Sequence, residues 1–194
     1  MVVLSDRFAD AFAHANAVHR NQRRKGAAIP YVSHLLAVAS IVLEAGGDED
    51  EAIAALLHDA PEDQGGHPQL ELIRARFGER VAAIVEGCSD SLEVEPWAKE
   101  EWRARKERYH DHARQTPNTS VLLVSAADKL HNARATLADL QRVGSPVWDR
   151  FTGAREGTIW NYETLLKLYA DSGDPRVRQL AAELEPIVKA LEEY

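Results

Sequence analysis

The chain carries one cysteine, Cys88, and one methionine in 194 residues. A lone thiol excludes an internal disulfide and any cysteine-based metal cluster. It suits a reducing compartment, so a cytoplasmic protein is expected. Long apolar runs are missing as well. None approaches the roughly 20 residues of a membrane span. The opening "MVVLSDRFADAF" has no basic region followed by an apolar stretch, so no signal peptide is expected. A surplus of positive charge is also absent. The net charge of −8 argues against nucleic acid as a partner, because that partner needs a basic face. β-type alternation is lacking too: "SVLLV" (120–124) is the single candidate, and it flows into helical periodicity. No repeat, low-complexity tract or linker interrupts the chain, so one all-α domain over residues 1–194 is expected.

What remains is helix after helix. Ser5 is placed to cap a first helix whose Phe8, Phe12, Ala15 and His19 recur at helical spacing. A second helix runs from about Tyr31 to Gly46-Gly47. A third starts near Asp48, with acids in the first turn, where the helix dipole favours them. Two shorter helices flank Gly78, and a polar one spans Pro96 to Gln115. A long one ends at Gly144, and two more occupy roughly 147–171 and 175–193.

Three places set a histidine or an aspartate into an otherwise apolar face. They are His34 in "YVSHLLAVA", His58-Asp59 after "AALL", and Asp128 in "LLVSAADKLHN". A buried, unpartnered carboxylate is expensive. A divalent metal is the simplest common partner for two histidines and two aspartates, and a set of N and O donors without thiolate suits Mn²⁺, Fe²⁺ or Zn²⁺. Asp128 and Asn132 share a helix face, as do His58 with Glu62 and Asp59 with Asp63. The second acids would then lie one turn beyond the ligands, near the water that such a metal activates. "RNQRRK" (20–25) is a local cation cluster on an acidic chain, better suited to a small anion than to a polyanion. His110 and His112 point to different faces and read as surface residues, and His67 reads as a loop residue. His131 falls off the face shared by Asp128 and Asn132. Arg150 and Arg155 are read as surface salt-bridge partners, with contact to a phosphate as the alternative.

In this order, His34, His58-Asp59 and Asp128 resemble the signature of the HD phosphohydrolase superfamily. A narrower resemblance is to the hydrolase domains of RelA/SpoT-type alarmone enzymes. "HRNQRRKGAAIPYVSH", "AALLHDAPED", "FGERVAAIVEGCSD" and "AADKLHNARA" are similar to four of that family's sequence blocks. The resemblance implies a helical HD-domain bundle acting as a stand-alone small alarmone hydrolase. It implies one Mn²⁺ on His34, His58, Asp59 and Asp128. Glu62 and Asp63 would orient or deprotonate the attacking water, and Asn132 would sit beside the metal and contact substrate. Arg24, Lys25 and Tyr31 would line the nucleotide site, with Arg24 stacking on or near the base. The implied reaction removes the 3′-pyrophosphate of guanosine tetra- or pentaphosphate, giving GDP or GTP. The alternatives are the same chemistry on an adenosine alarmone, a nucleoside monophosphate or NADPH, or a non-catalytic nucleotide sensor.

The chain departs from the family pattern at several positions. Asn21 and Leu35 replace a Gly and a Pro, Ala135 replaces a Thr near the substrate, and the 26–29 loop is one residue longer. Pro61 interrupts the "HDxxED" run; lacking a backbone N–H, it is expected to end or kink the helix there.

Overall fold

The computed structural model describes residues 2–93, 95 and 99–194. Ten α-helices follow one another among them: α1 (Asp6–Val18), α2 (Val32–Glu44), α3 (Glu49–Leu57), α4 (Ala60–Gln64), α5 (Gly66–Phe77), α6 (Glu79–Cys88), α7 (Trp102–Gln115), α8 (Thr119–Val143), α9 (Ala154–Ala170) and α10 (Pro175–Leu191). A short 3₁₀ helix, Ser145–Arg150, joins α8 to α9. The β pairing among the described residues is one bridge, Arg23 to Pro30, which clips the loop between α1 and α2. The fold is all-α, as the missing alternation implied.

Local chemistry sets most boundaries. Ser5 accepts from the Arg7 backbone N–H. Asp48 and Glu51 form a capping box at the start of α3. Asn118 caps α8, and Asp174 caps α10 just before Pro175. Gly144 ends α8 at φ +81°, where a side chain would be strained.

Pro61 ends a helix, as its chemistry requires, but does so usefully. The chain turns at His58-Asp59 and restarts as α4, with Pro61 in the first turn, where no N–H is needed. The backbone still carries one turn across the junction, because Asp63 N–H donates to Asp59 C=O at 3.0 Å.

Other expectations need correction. In α1 the buried face is Ala11, His14 and Ala15, and Phe12 is exposed. His67 lies in α5, not in a loop. The polar helix starts at Trp102; residues 99–101 are non-helical, and 96–98 lie outside the described residues. The segment expected as one helix over 147–171 is split, because 3₁₀ geometry runs to Arg150 and Ala154 takes φ +48°.

The core is organised around α3 and α8. Ala52 to Leu57 are wholly buried on every side, the pattern of a helix enclosed by others. α8 packs against α2, α3, α6, α9 and α10. α10 is tied back to the start of α3 by Glu51. That buried carboxylate accepts from Ser120 Oγ at 2.7 Å and from both terminal nitrogens of Arg176 at 2.8 and 3.1 Å. Replacing Glu51 with Ala strands Arg176 and Ser120 and removes half of the capping box. The expected loss is about 3 kcal/mol, read as a lower urea midpoint at unchanged slope.

Candidate metal centre and active site

Three segments deliver four candidate ligands to one point. His34 comes from the first turn of α2, His58 and Asp59 from the turn between α3 and α4, and Asp128 from the middle of α8. Donor atoms of His34, His58 and Asp59 all lie within 4.8 Å of one another. His34 Nε2 is 3.2 Å from Asp128 Oδ1 and 3.5 Å from Asp59 Oδ2. His58 Nε2 is 3.0 Å from Asp59 Oδ2 and 3.8 Å from Asp128 Oδ1.

Despite these distances, both Nε2 atoms are buried and make no hydrogen bond. Each Nδ1, in contrast, is occupied. His58 Nδ1 faces the Ala55 carbonyl at 2.8 Å, which can only accept, so the ring proton sits there and Nε2 carries a lone pair. His34 Nδ1 meets His131 Nδ1 at 2.8 Å. An orphaned N–H costs more than an orphaned lone pair, so His34 donates and His131 accepts. Two imidazole lone pairs and two carboxylates converging on one point fit a divalent cation. The electrostatics agree. Burial works against charge on His58, yet Asp59 and Asp128 outweigh it and raise His58 well above its ordinary value. The cluster demands a positive charge.

Neighbours brace the ligands. Tyr31 donates its hydroxyl to Asp59 Oδ2 at 2.6 Å, and Lys129 Nζ pairs with Asp128 Oδ2. Asn132 donates to Asp128 Oδ1 at 2.5 Å and accepts from Arg24 Nη2 at 2.7 Å, so it links the ligand cluster to the cation loop. His131 is pushed down to about 4 by burial, then by His34 and Arg24, so it stays neutral as the acceptor for His34.

The acid pair divides. Glu62 faces the cluster side and lines the cavity beside His58, Asp59 and Asp128. Burial, then the Asp90 charge, lift its carboxyl to about 7, with Lys106 pulling the other way. Asp63 turns toward the α1–α2 loop, where Gln22 Nε2 donates to its Oδ2 at 2.7 Å. Asp90 accepts from Arg105 and Lys106, both at 2.5 Å.

A cavity of about 500 Å³ opens beside the cluster. Arg24, Lys25, Tyr31 and Asn132, all singled out from the sequence, line it. So do Lys106, Lys129, Trp102, Arg150, Phe151, Asn161 and Tyr162, which were not assigned to the site. Lys129 sits next to Asp128, and that adjacency was the one available signal. Lys106 and Trp102 lie in a strongly polar helix, where no periodicity marks them. The structure adds to one reading: His131, off the face shared by Asp128 and Asn132, contacts His34 across 97 residues of sequence. His110 is buried, not a surface residue, and pairs with Asn161 at 2.8 Å. Arg150 forms a salt bridge, as expected, to Asp139 and also lines the cavity, whereas Arg155 binds the Glu192 carbonyl instead of a carboxylate.

The arrangement sets donors suited to a divalent cation beside a cation-lined cavity. The HD domain family model matches residues 11–159, and the chain belongs to that family. Within it, the chain is 38% identical over 135 residues to guanosine-3′,5′-bis(diphosphate) 3′-pyrophosphohydrolase MESH1 of Xenopus tropicalis, a match covering 67% of each protein. It is 35% identical over 133 residues to the guanosine-3′,5′-bis(diphosphate) 3′-pyrophosphohydrolase of Haemophilus influenzae, covering 66% of this chain. The chain spans only 18% of that protein's length and 16% of a Synechocystis relative's. The solved structure of a metazoan SpoT orthologue that hydrolyses ppGpp superposes with a TM-score of 0.75 at 26% identity, covering 97% of both chains. No helix among the described residues is long and apolar enough to cross a membrane.

Titration with Mn²⁺, Fe²⁺ or Zn²⁺ should give one site per chain, lost in His58→Ala and Asp128→Ala with the helical circular dichroism retained. His131→Phe removes the acceptor that holds the His34 ring. It should weaken metal affinity by about 10- to 100-fold, measured by competition with a chelating dye.

Proposed function

We propose that the chain hydrolyses the 3′-pyrophosphate of guanosine tetra- or pentaphosphate, releasing pyrophosphate and GDP or GTP, with Mn²⁺ as the cation. One observation carries the reading: four ligand groups converge next to a cation-walled cavity, and Glu62, Lys129 and Asn132 line both that cavity and the smaller one at the ligands. Similarity to guanosine-3′,5′-bis(diphosphate) pyrophosphohydrolases supports the choice of substrate. We read residues 1–194 as one domain, in keeping with the Arg176–Glu51 tie between α10 and α3. A cytoplasmic setting fits the single cysteine.

In this reading His34, His58, Asp59 and Asp128 hold the cation, which neutralises phosphoryl charge and acidifies water when bound. Tyr31, Lys129 and Asn132 keep the two aspartates from swinging away. Arg24 and Lys25 receive the nucleotide, and a guanidinium at Arg24 can lie flat on a purine or fork to phosphate. Glu62 sits near neutrality, so its carboxylate can take the proton of the attacking water. The water oxygen bonds to the phosphorus next to the 3′ oxygen, and the bond from that phosphorus to the 3′ oxygen breaks. Glu62 can return its proton to the leaving 3′ oxygen. Asp63, held by Gln22, orients rather than reacts.

The test is pyrophosphate release from guanosine tetraphosphate with added Mn²⁺. His58→Ala and Asp59→Ala should abolish release, and Glu62→Gln should lower kcat by about 10²- to 10⁴-fold. Absence of release from protein shown to hold Mn²⁺ would move the substrate to another phosphorylated nucleotide.

The pH profile gives a second check. A neighbouring negative charge raises a carboxyl pKa, because it disfavours ionisation. Asp90→Asn removes that charge and frees Lys106 and Arg105, so the Glu62 pKa falls. The base form then survives to lower pH, and the acid limb of kcat/KM should move to lower pH relative to the unsubstituted protein.

A further inference from the structure

The cavity extends well beyond the ligand cluster. Its far wall is built from the 3₁₀ helix, the end of α8 and the tip of the α1–α2 loop. α8 rises about 1.5 Å per residue, so Asp139 stands about 16 Å from Asp128 along the helix. At that distance Arg150, Arg142 and Lys25 all line the cavity, with Asp139 as the one carboxylate among them. Asp139 accepts from Arg150 Nη1 at 2.6 Å and also from Arg142. Lys25 has no carboxylate partner among the described residues. On a chain of net charge −8, this wall is a local excess of cation.

Arg150 is held in a particular pose. Its guanidinium lies on the backbone of Gly26: a Cβ there would meet Nε, Cδ and Cζ at 2.4 to 2.8 Å. Gly26 also has φ +70°, so glycine is favoured there for both reasons. The loop tip around Gly26 is where the chain is one residue longer than its family pattern. It is pinned by Arg24 N–H to Ile29 C=O at 2.9 Å. With Nη1 on Asp139 and one face on Gly26, the other guanidinium N–H groups make no hydrogen bond to another described residue. Arg150 is half-buried and fixed, unlike Arg142, whose side chain is 67% exposed.

We propose that Arg150, seated on Gly26 and steered by Asp139, is the specificity-determining residue for the 5′-phosphates of the nucleotide, with Lys25 as the second cation of the same cavity. The cavity then has two anion-binding ends. The 3′ group meets the ligand cluster, and the 5′ group meets the guanidinium fork. The order of preference among substrates follows the number of 5′ phosphates. This inference rests on the nucleotide reading above.

The experiment uses Arg150→Gln and the charge-preserving Arg150→Lys in the Mn²⁺-loaded full chain. KM and kcat are measured for guanosine 3′-diphosphates carrying a 5′-triphosphate, a 5′-diphosphate or a 5′-hydroxyl. Arg150→Gln should raise KM about tenfold for the two 5′-phosphorylated substrates, leave kcat nearly unchanged, and leave the 5′-hydroxyl substrate unaffected. Arg150→Lys should recover part of the loss. A second arm needs no turnover: GTP, GDP and guanosine are titrated calorimetrically into each protein. Arg150→Gln should erase the gain in affinity from guanosine to GTP. If turnover is absent but that gain exists and depends on Arg150, the hydrolase reading falls and this inference stands. If guanosine tetraphosphate is hydrolysed with the same KM in both proteins, the inference falls and the hydrolase reading stands. A lower melting temperature with unchanged 5′-phosphate dependence would make Arg150 a strut only.

Discussion

Two carboxylates and two imidazoles meet in the interior where α2, α8 and the α3–α4 turn come together, and most of the structure follows from that meeting. Removing carboxylates from water is costly unless a positive charge answers them. Here Lys129 answers one oxygen of Asp128, and the tyrosine hydroxyl of Tyr31 answers Asp59. Asp59 Oδ2 and Asp128 Oδ1 also face two histidine nitrogens that bond to nothing. Such a cluster persists only if its surroundings are rigid. The fully buried α3 and the many-sided packing of α8 supply that rigidity.

The same logic is repeated outward from the cluster. Asp90 gathers Arg105 and Lys106 near Glu62, and Asp139 gathers Arg150 and Arg142 farther along α8. Each carboxylate is outnumbered by its cations, so each group keeps a positive surplus while its side chains stay oriented. Preorganised charge of this kind suits a polyanionic ligand, because little reorganisation is needed when the ligand arrives. An acidic protein can therefore hold a basic cavity, and its net charge says little about the cavity's sign.

Much of this was legible along the chain. Ser5, Asp48, Gly78 and Gly144 mark real helix ends, since capping depends on residues within a turn of one another. Asp128 and Asn132 share a face as their spacing implies, and they are hydrogen-bonded. Phe12 misled because an apolar residue at helical spacing need not face the core, and small Ala11 and Ala15 allow the closer approach. Pro61 looked like an interruption of the acid run. It proved a good first-turn residue of α4, which leaves Glu62 facing Asp90 and the cluster.

By itself, the sequence determined the helical class, the helix ends that carry a capping residue or glycine, and the residue types able to hold a cation. All of these are written in local periodicity, capping and donor chemistry. The tertiary structure alone decided that His131 braces His34, that His110 is buried against Asn161, and that Arg150 lies on Gly26. Those contacts join residues 51 to 124 positions apart, on separate elements. Their geometry comes from how helices cross and which backbone atoms can approach, and no spacing within one segment encodes that.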